Sequence, residues 1–335
     1  MFSRRRLFFL VLVCLALVGG ATALLLRPEP GFRVKSNRIL DPDGDRFVVR
    51  GVVLAYGTFA GGPGGGVATS NGERYGRDIR RIRAGGGNLV RIMATPGAAR
   101  GDRLALLRRI VAAARAENLV VQISSAFAEA VPSRRWITRL ARIYRDDPYV
   151  WLQPQNEPGC APGTDAQASA CGDWRRWQRD HRAAIAAIRE AGNTAPVVVN
   201  VPNFSTDLRL IDRYPLGDAN VVYGAHRYGN DNPAFTLQEQ AAVLAAVGGP
   251  SQRHAVIVDE FGNWNGSQFP NALAWSNGMA RWIADWVRRG DGQGATGFNW
   301  RWSDPNSMLG ADDRLTAWGK IVASHVLHSS PPRVR

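Results

Sequence analysis

From about residue 50 onward, short runs of β-branched and aliphatic residues alternate with longer stretches in which apolar positions recur every three or four residues. These are the periods of buried strands and of helices lying against a sheet. The strand-like runs are Gly51–Leu54, Asn88–Ile92, Leu119–Ile123, Val150–Pro154, Val197–Asn200, Val221–Ala225, Ala255–Asp259 and Gly297–Trp300. Between them, Leu104, Leu107, Ile110, Val111 and Ala114, and later Trp136, Ile137, Leu140 and Ile143, each form one apolar stripe on a helix. Eight such strand–helix units predict an α/β protein, a (β/α)8 TIM barrel. An open doubly wound sheet would need a ligand-binding glycine-rich turn after its first strand. Gly61–Gly66 follows that strand but lacks both the Gly-Lys-Ser/Thr sequel and the dinucleotide spacing, so it reads as a loop at the barrel mouth. Ahead of the barrel, Phe32–Arg50 reads as a short N-terminal β-hairpin turning at Asp41–Asp45, a plug for the barrel's bottom.

The pattern changes at the N-terminus, where Arg4, Arg5 and Arg6 precede an unbroken apolar run from Leu7 to Leu26. Residues 1–27 are therefore set apart as a signal peptide or N-terminal membrane anchor, and 28–335 as one barrel domain. Ala21-Thr22-Ala23 suits cleavage after Ala23, while the apolar residues 7–26 are long enough to span a bilayer of about 30 Å. Either way the chain is expected to be exported, secreted or anchored to the outer face of the cytoplasmic membrane. Arg5-Arg6-Leu7-Phe8 also permits a twin-arginine route.

Composition narrows the function. With 335 residues, 45% hydrophobic and 21% charged, the chain buries a large core and is not a disordered protein. The formal net charge is +14, and all but two of the 42 basic residues are arginine. They are spread through every helix, whereas nucleic-acid modules cluster them on one face with stacking aromatics. No nucleic-acid partner is expected; attraction to an anionic envelope or an acidic polysaccharide is the consequence of such charge. In an exported chain Cys160 and Cys171 are expected to form a disulfide, whose loop closure contributes about 3 kcal/mol. His181, His226, His254, His325 and His328 fall in no zinc-binding spacing, so no metal and no cofactor is expected.

In a barrel of this kind the chemistry sits at the C-terminal ends of the strands. There the fourth strand delivers Asn156-Glu157-Pro158, the sixth His226-Arg227-Tyr228, the seventh Asp259-Glu260, the second Arg91 and the eighth Trp300. Two carboxylates on opposed strands, an Arg and a Tyr that keep one ionised, and aromatics that stack on a sugar are what double-displacement glycoside hydrolysis needs. With these residues the sequence resembles the glycoside hydrolases of family 5, the cellulase and mannanase family, from about Phe32 to about Leu327. The resemblance implies that Glu157 is the general acid/base and Glu260 the nucleophile. It also implies that Asn156 binds the sugar 2-hydroxyl, that Arg91 and Tyr228 hold Glu260, that His226 lines the cleft and that Trp300 is the platform under the sugar. Trp264 follows Glu260 closely enough to be a further sugar contact.

The roles also follow from what the reaction demands. A leaving alkoxide needs a proton from Glu157, and Glu260 must stay ionised to attack the anomeric carbon. The third strand, Val121 to Phe127, departs from the family pattern because no histidine stands at its end; Ser124 or Ser125 is the substitute on hand. Asp259 is read as structural, since strand alternation turns it away from Glu260. The expected activity is retaining hydrolysis of a β-linked glucan or mannan, a polysaccharide or oligosaccharide, by a monomer. A non-catalytic carbohydrate-binding barrel at the cell envelope is the alternative.

Overall fold

Eight parallel strands close into a barrel in sequence order, the last pairing with the first. In a computed structural model describing residues 31–55, 72–94, 101–125, 132–159, 173–229, 234–262, 272–300 and 307–329, these are β3 (Val49–Ala55), β4 (Leu89–Ala94), β5 (Val120–Ser125), β6 (Val150–Gln153), β7 (Val197–Asn200), β8 (Val221–Tyr228), β9 (Val256–Gly262) and β10 (Gly294–Phe298). Side chains alternate between the two faces. Val52, Leu54, Val90, Ile92, Val121, Ile123, Val197, Val199 and Val258 point outward into the main core. Val49, Leu89, Val120, Trp151, Val198, Val222 and Ile257 fill the inside of the barrel's base.

The wall is built by helices α1 (Gly72–Ala84), α2 (Gly101–Ala116), α3 (Arg134–Ile143), α4 (Trp174–Glu190), α5 (Leu237–Val243), α6 (Ala272–Arg288) and α7 (Ala317–Val322). Both apolar stripes named above face the barrel: Leu104, Leu107, Ile110, Val111 and Ala114 are buried, as are Trp136, Ile137 and Leu140, while Ile143 packs against them partly covered. Trp177, Trp275 and Trp286 are core residues, and Trp282 stacks on Trp286. The connection between β7 and β8 differs from the expected unit: residues 201–220 form turns without a helix. Pro202, Pro215 and Gly217 interrupt it, and Asn203, Phe204 and Ser205 are all left-handed at φ 61°, 54° and 58°. Leu208, Ile211 and Leu216 fill the helix's place in the core.

The N-terminal hairpin is present, and the chain turns twice in it, once earlier than expected and once at the expected place. Strands β1 (Arg33–Lys35) and β2 (Arg38–Leu40) are joined at Ser36-Asn37, with Ser36 at φ 55°. Asp41–Asp45 makes the expected turn, across which Leu40 bridges Arg46 in antiparallel fashion; the Asp41 carboxylate fixes it by accepting the backbone N–H groups of Asp43 (3.1 Å) and Asp45 (2.9 Å). The hairpin does plug the base: the Phe32 ring stands edge-on to Phe47, Tyr149 and Trp151 at 4.9, 4.9 and 5.3 Å.

His181 on α4 is fully buried, with Nδ1 bonded to the Trp177 carbonyl at 3.0 Å. Burial lowers its pKa to about 4. The unfolded chain therefore binds a proton near pH 6.5 that the folded chain refuses until about pH 4. Stability falls as pH drops through that window, by about 3 kcal/mol from this group. Urea midpoints measured between pH 4 and 7 should show a shallower acid loss in His181→Leu than in the parent; equal slopes would refute the assignment.

Candidate active site

The barrel interior turns polar above its base. Arg91 on β4, Gln122 and Ser124 on β5, Gln153 on β6, Asn200 on β7 and Asp259 on β9 are fully buried there. Arg91 is the hub. Its Nη1 pairs with Glu260 Oε2, while Nη2 donates to Asn156 Oδ1 (2.5 Å), Ser124 Oγ (3.1 Å) and Gln153 Oε1 (3.2 Å). Ser124, near the end of the third barrel strand, is thereby part of this network. Burial opposes the charge on Arg91, but Glu260 and Asp259 raise its pKa, so it remains a cation. The Tyr228 hydroxyl donates to Glu260 Oε1 at 2.5 Å. Burial first, then Glu260 and Glu157, lift this phenol well above its ordinary value and keep its proton in place.

Glu157 follows β6 with its side chain 25% exposed, against 6% for Glu260. Its backbone is left-handed at φ 44°, a conformation costing roughly 1–3 kcal/mol that persists only where surroundings impose it. Two contacts do so: the Glu157 N–H donates to Asn200 Oδ1 at 3.2 Å, and the carbonyl of Pro158 accepts from the Phe204 N–H at 3.1 Å. The left-handed turn at Asn203–Ser205 thereby clamps the segment after Glu157. His226 Nδ1 lies 2.6 Å from Glu157 Oε1. One oxygen of Glu157, one of Glu260 and a ring nitrogen of His226 all lie within 4.8 Å of one another, so the two carboxyl groups face each other across the mouth.

Two expectations are corrected. Asp259 points inward beside Glu260, because β9 carries a bulge. Gly224 pairs with Ile257 but His226 with Glu260, and Ala295 pairs with Val258 but Gly297 with Phe261. The extra residue lets consecutive side chains share a face. Gly224 leaves room for it: a Cβ there would lie 2.3 Å from Asp259 Oδ1. Trp300 is not in the cleft but 4% exposed in the outer core with Trp318 and Met308. β10 ends at Phe298, earlier than expected, and it is Phe298 that sits with Val53 and Met93, its ring edge-on to Tyr228 at 6.1 Å. Trp264, Cys160, Cys171, the Gly61–Gly66 loop and residues 1–27 lie outside the described residues. Among the described residues no helix is long and apolar enough to cross a membrane.

Burial opposes a charge on His226, yet the carboxylates of Glu260, Asp259 and Glu157 raise its pKa to about 10.

A closed barrel with opposed glutamates at its C-terminal mouth defines a class, the glycosidases that hydrolyse O-glycosyl bonds. The comparisons agree. Residues 66–306 match the family model described as cellulase (glycosyl hydrolase family 5), and the chain belongs to that family. It is 24% identical over 347 residues to a mannan endo-1,4-beta-mannosidase of Cellvibrio japonicus, covering 92% of this chain and 70% of the relative. Its fold is similar to that of a β-glucanase of Saccharophagus degradans in complex with cellotetraose, at TM-score 0.72 and 18% identity, covering 89% of this chain and 93% of the other. It is also similar in fold to a β-mannanase from Thermomonospora fusca, at TM-score 0.66 and 18% identity, covering 90% and 97%. The chain is a glycoside hydrolase that cleaves β-glycans.

Proposed function

We propose that the protein hydrolyses a β-linked glucan or mannan with retention of configuration, Glu260 acting as nucleophile and Glu157 as acid/base. The observation that carries this reading is the opposed pair, an oxygen of Glu157 and one of Glu260 lying within 4.8 Å of each other. That closeness supports the short spacing, roughly 5–5.5 Å between carboxyl groups, of direct attack rather than the roughly 6.5–9.5 Å of an inverting pair.

The partners divide the roles. Glu260 faces the permanent charge of Arg91 and the Tyr228 hydroxyl, which favour a carboxylate ready to attack. Of the three carboxyl groups, Glu157, Glu260 and Asp259, Glu157 is the most exposed and is the one that a leaving oxygen can reach. Once Glu260 is glycosylated its charge is gone, and Glu157 takes a proton from the attacking water. Phe298 supplies the apolar surface beside the sugar in place of Trp300. Asn156, held by Arg91, is placed for the 2-hydroxyl.

The relatives support the substrate class, since one is a mannan endo-1,4-beta-mannosidase and another fold neighbour is a β-glucanase bound to cellotetraose. The Arg-flanked apolar run at residues 7–26 supports export, secreted or anchored, and in an oxidising compartment Cys160 and Cys171 are the pair that would form a disulfide. The test is reducing-sugar release on β-1,4-glucan, β-1,3-glucan, mannan and xylan, with Glu157→Gln and Glu260→Gln beside the parent. Release from glucan or mannan that both substitutions abolish supports the reading. Binding of a glycan without release would point to a carbohydrate-binding barrel.

A further inference from the structure

We infer that Asp259 is a positioning residue: its buried carboxylate holds His226 as an imidazolium against Glu157, and so sets the pH range over which Glu157 delivers its proton. The inference rests on the acid/base assignment of Glu157.

The geometry makes a continuous chain. Asp259 Oδ1 lies 3.2 Å from His226 Nε2, an ion-pair contact rather than an aligned hydrogen bond, and His226 Nδ1 lies 2.6 Å from Glu157 Oε1. Asp259 is held from below by Asn200 Nδ2 (3.2 Å) and Gln122 Nε2 (3.3 Å), and Arg91 Nε stands 3.7 Å away. Gln153 ties the layer together: it accepts from Gln122 at 2.7 Å and donates to Asn200 at 2.5 Å. Asn200 in turn accepts the Glu157 N–H. The bulge that brings Asp259 inside, the glycine that makes room for it and the amides that hold it all converge on His226, whose side chain is 1% exposed.

A buried imidazole with one carboxylate neighbour can lose its proton to that neighbour. A second, deeper carboxylate holds the proton on the ring, so Nδ1–H stays directed at Glu157 through the catalytic cycle. The titratable groups facing His226 are Glu157 from the segment after β6, Asp259 and Glu260 from β9, and, through those acids, Arg91 from β4 and Tyr228 from β8. Burial opposes ionisation of Asp259, and His226 and Arg91 lower its pKa, so it is anionic at neutral pH. Removing that charge weakens proton binding at every other group of the cluster.

The experiment is the pH profile of kcat/KM for Asp259→Asn against the parent, on the responsive glycan and on dinitrophenyl β-glycosides of the same sugar, whose leaving group needs no proton. The alkaline limb should move toward acid by about one pH unit or more, the scale of a lost neighbouring charge, and the glycan rate should fall more than the dinitrophenyl rate. An unmoved limb with both rates lowered equally would overturn the inference. Glu157→Gln run in parallel separates the two claims. If it shows no preference for the good leaving group, the acid/base assignment itself fails and the inference with it. If it shows that preference while Asp259→Asn does not, only the role of Asp259 fails. Nitrogen-15 NMR of the parent needs no variant to fold: both His226 nitrogens should be protonated at pH 7, and a neutral ring would overturn the inference.

Discussion

Glu260→Gln lowers glycan turnover by roughly 10^4-fold or more, the scale of losing a nucleophile, while the barrel stays folded. The amide is isosteric but cannot attack an anomeric carbon. It also meets two donors, Arg91 and Tyr228, and its single carbonyl oxygen cannot satisfy both as the carboxylate does. Arg91 keeps Asn156, Ser124 and Gln153 as acceptors and Asp259 as counter-ion, so the lost pair does not leave it bare. Initial rates of sugar release together with a thermal melt check this. A folded variant within tenfold of the parent rate would remove Glu260 from the chemistry.

Arg91→Met should affect stability and turnover together. The guanidinium is wholly buried at the centre of the polar layer, and its removal leaves Glu260 and Asp259 without their permanent cation. Breaking a buried pair by deleting one partner costs about 3–5 kcal/mol. Turnover should fall by about 10^2–10^3, since Glu260, the proposed nucleophile, loses a fixed electrostatic partner worth a few kcal/mol. Arg91→Lys keeps a charge but not the fork that reaches Glu260 and Asn156 at once, so it should recover part of the stability and little of the rate. Urea unfolding and kcat/KM on one preparation measure both effects. Parent-like stability in Arg91→Met would mean that the interior network does not depend on its hub.

All eight strands were legible because parallel strands covered on both faces need unbroken apolar runs, and the chain supplies them. The same logic pointed to Arg91 within β4, to Asn156 and Glu157 just after β6, and to His226, Tyr228 and Glu260 in the C-terminal halves of β8 and β9, positions where a polar side chain has no packing reason to be. Asp259 was misread because alternation assumes a regular ladder, and a bulge is a property of register among β8, β9 and β10 rather than of any local pattern. Trp300 was misread for a related cause: placing the end of β10 two residues late exchanges the inward aromatic, Phe298, for one in the wall. The inner polar layer had a usable signal that went unread. Arg91, Gln122, Gln153 and Asn200 each interrupt an apolar strand on an inward position, and four such interruptions in consecutive strands describe one layer of a closed barrel. The helix-free connection after β7 was foreshadowed by its prolines, but its left-handed turn depends on contacts with Pro158 and Gly224 that are distant in sequence.

The central claim is the double displacement between Glu157 and Glu260, and its most direct test is the anomeric configuration of the sugar first released. Proton NMR of a short oligosaccharide digested with enough enzyme to outrun mutarotation should show the β-anomer appearing first and the α-anomer growing in afterwards. An α-anomer appearing first would contradict direct attack by Glu260 and, with it, the account of this site.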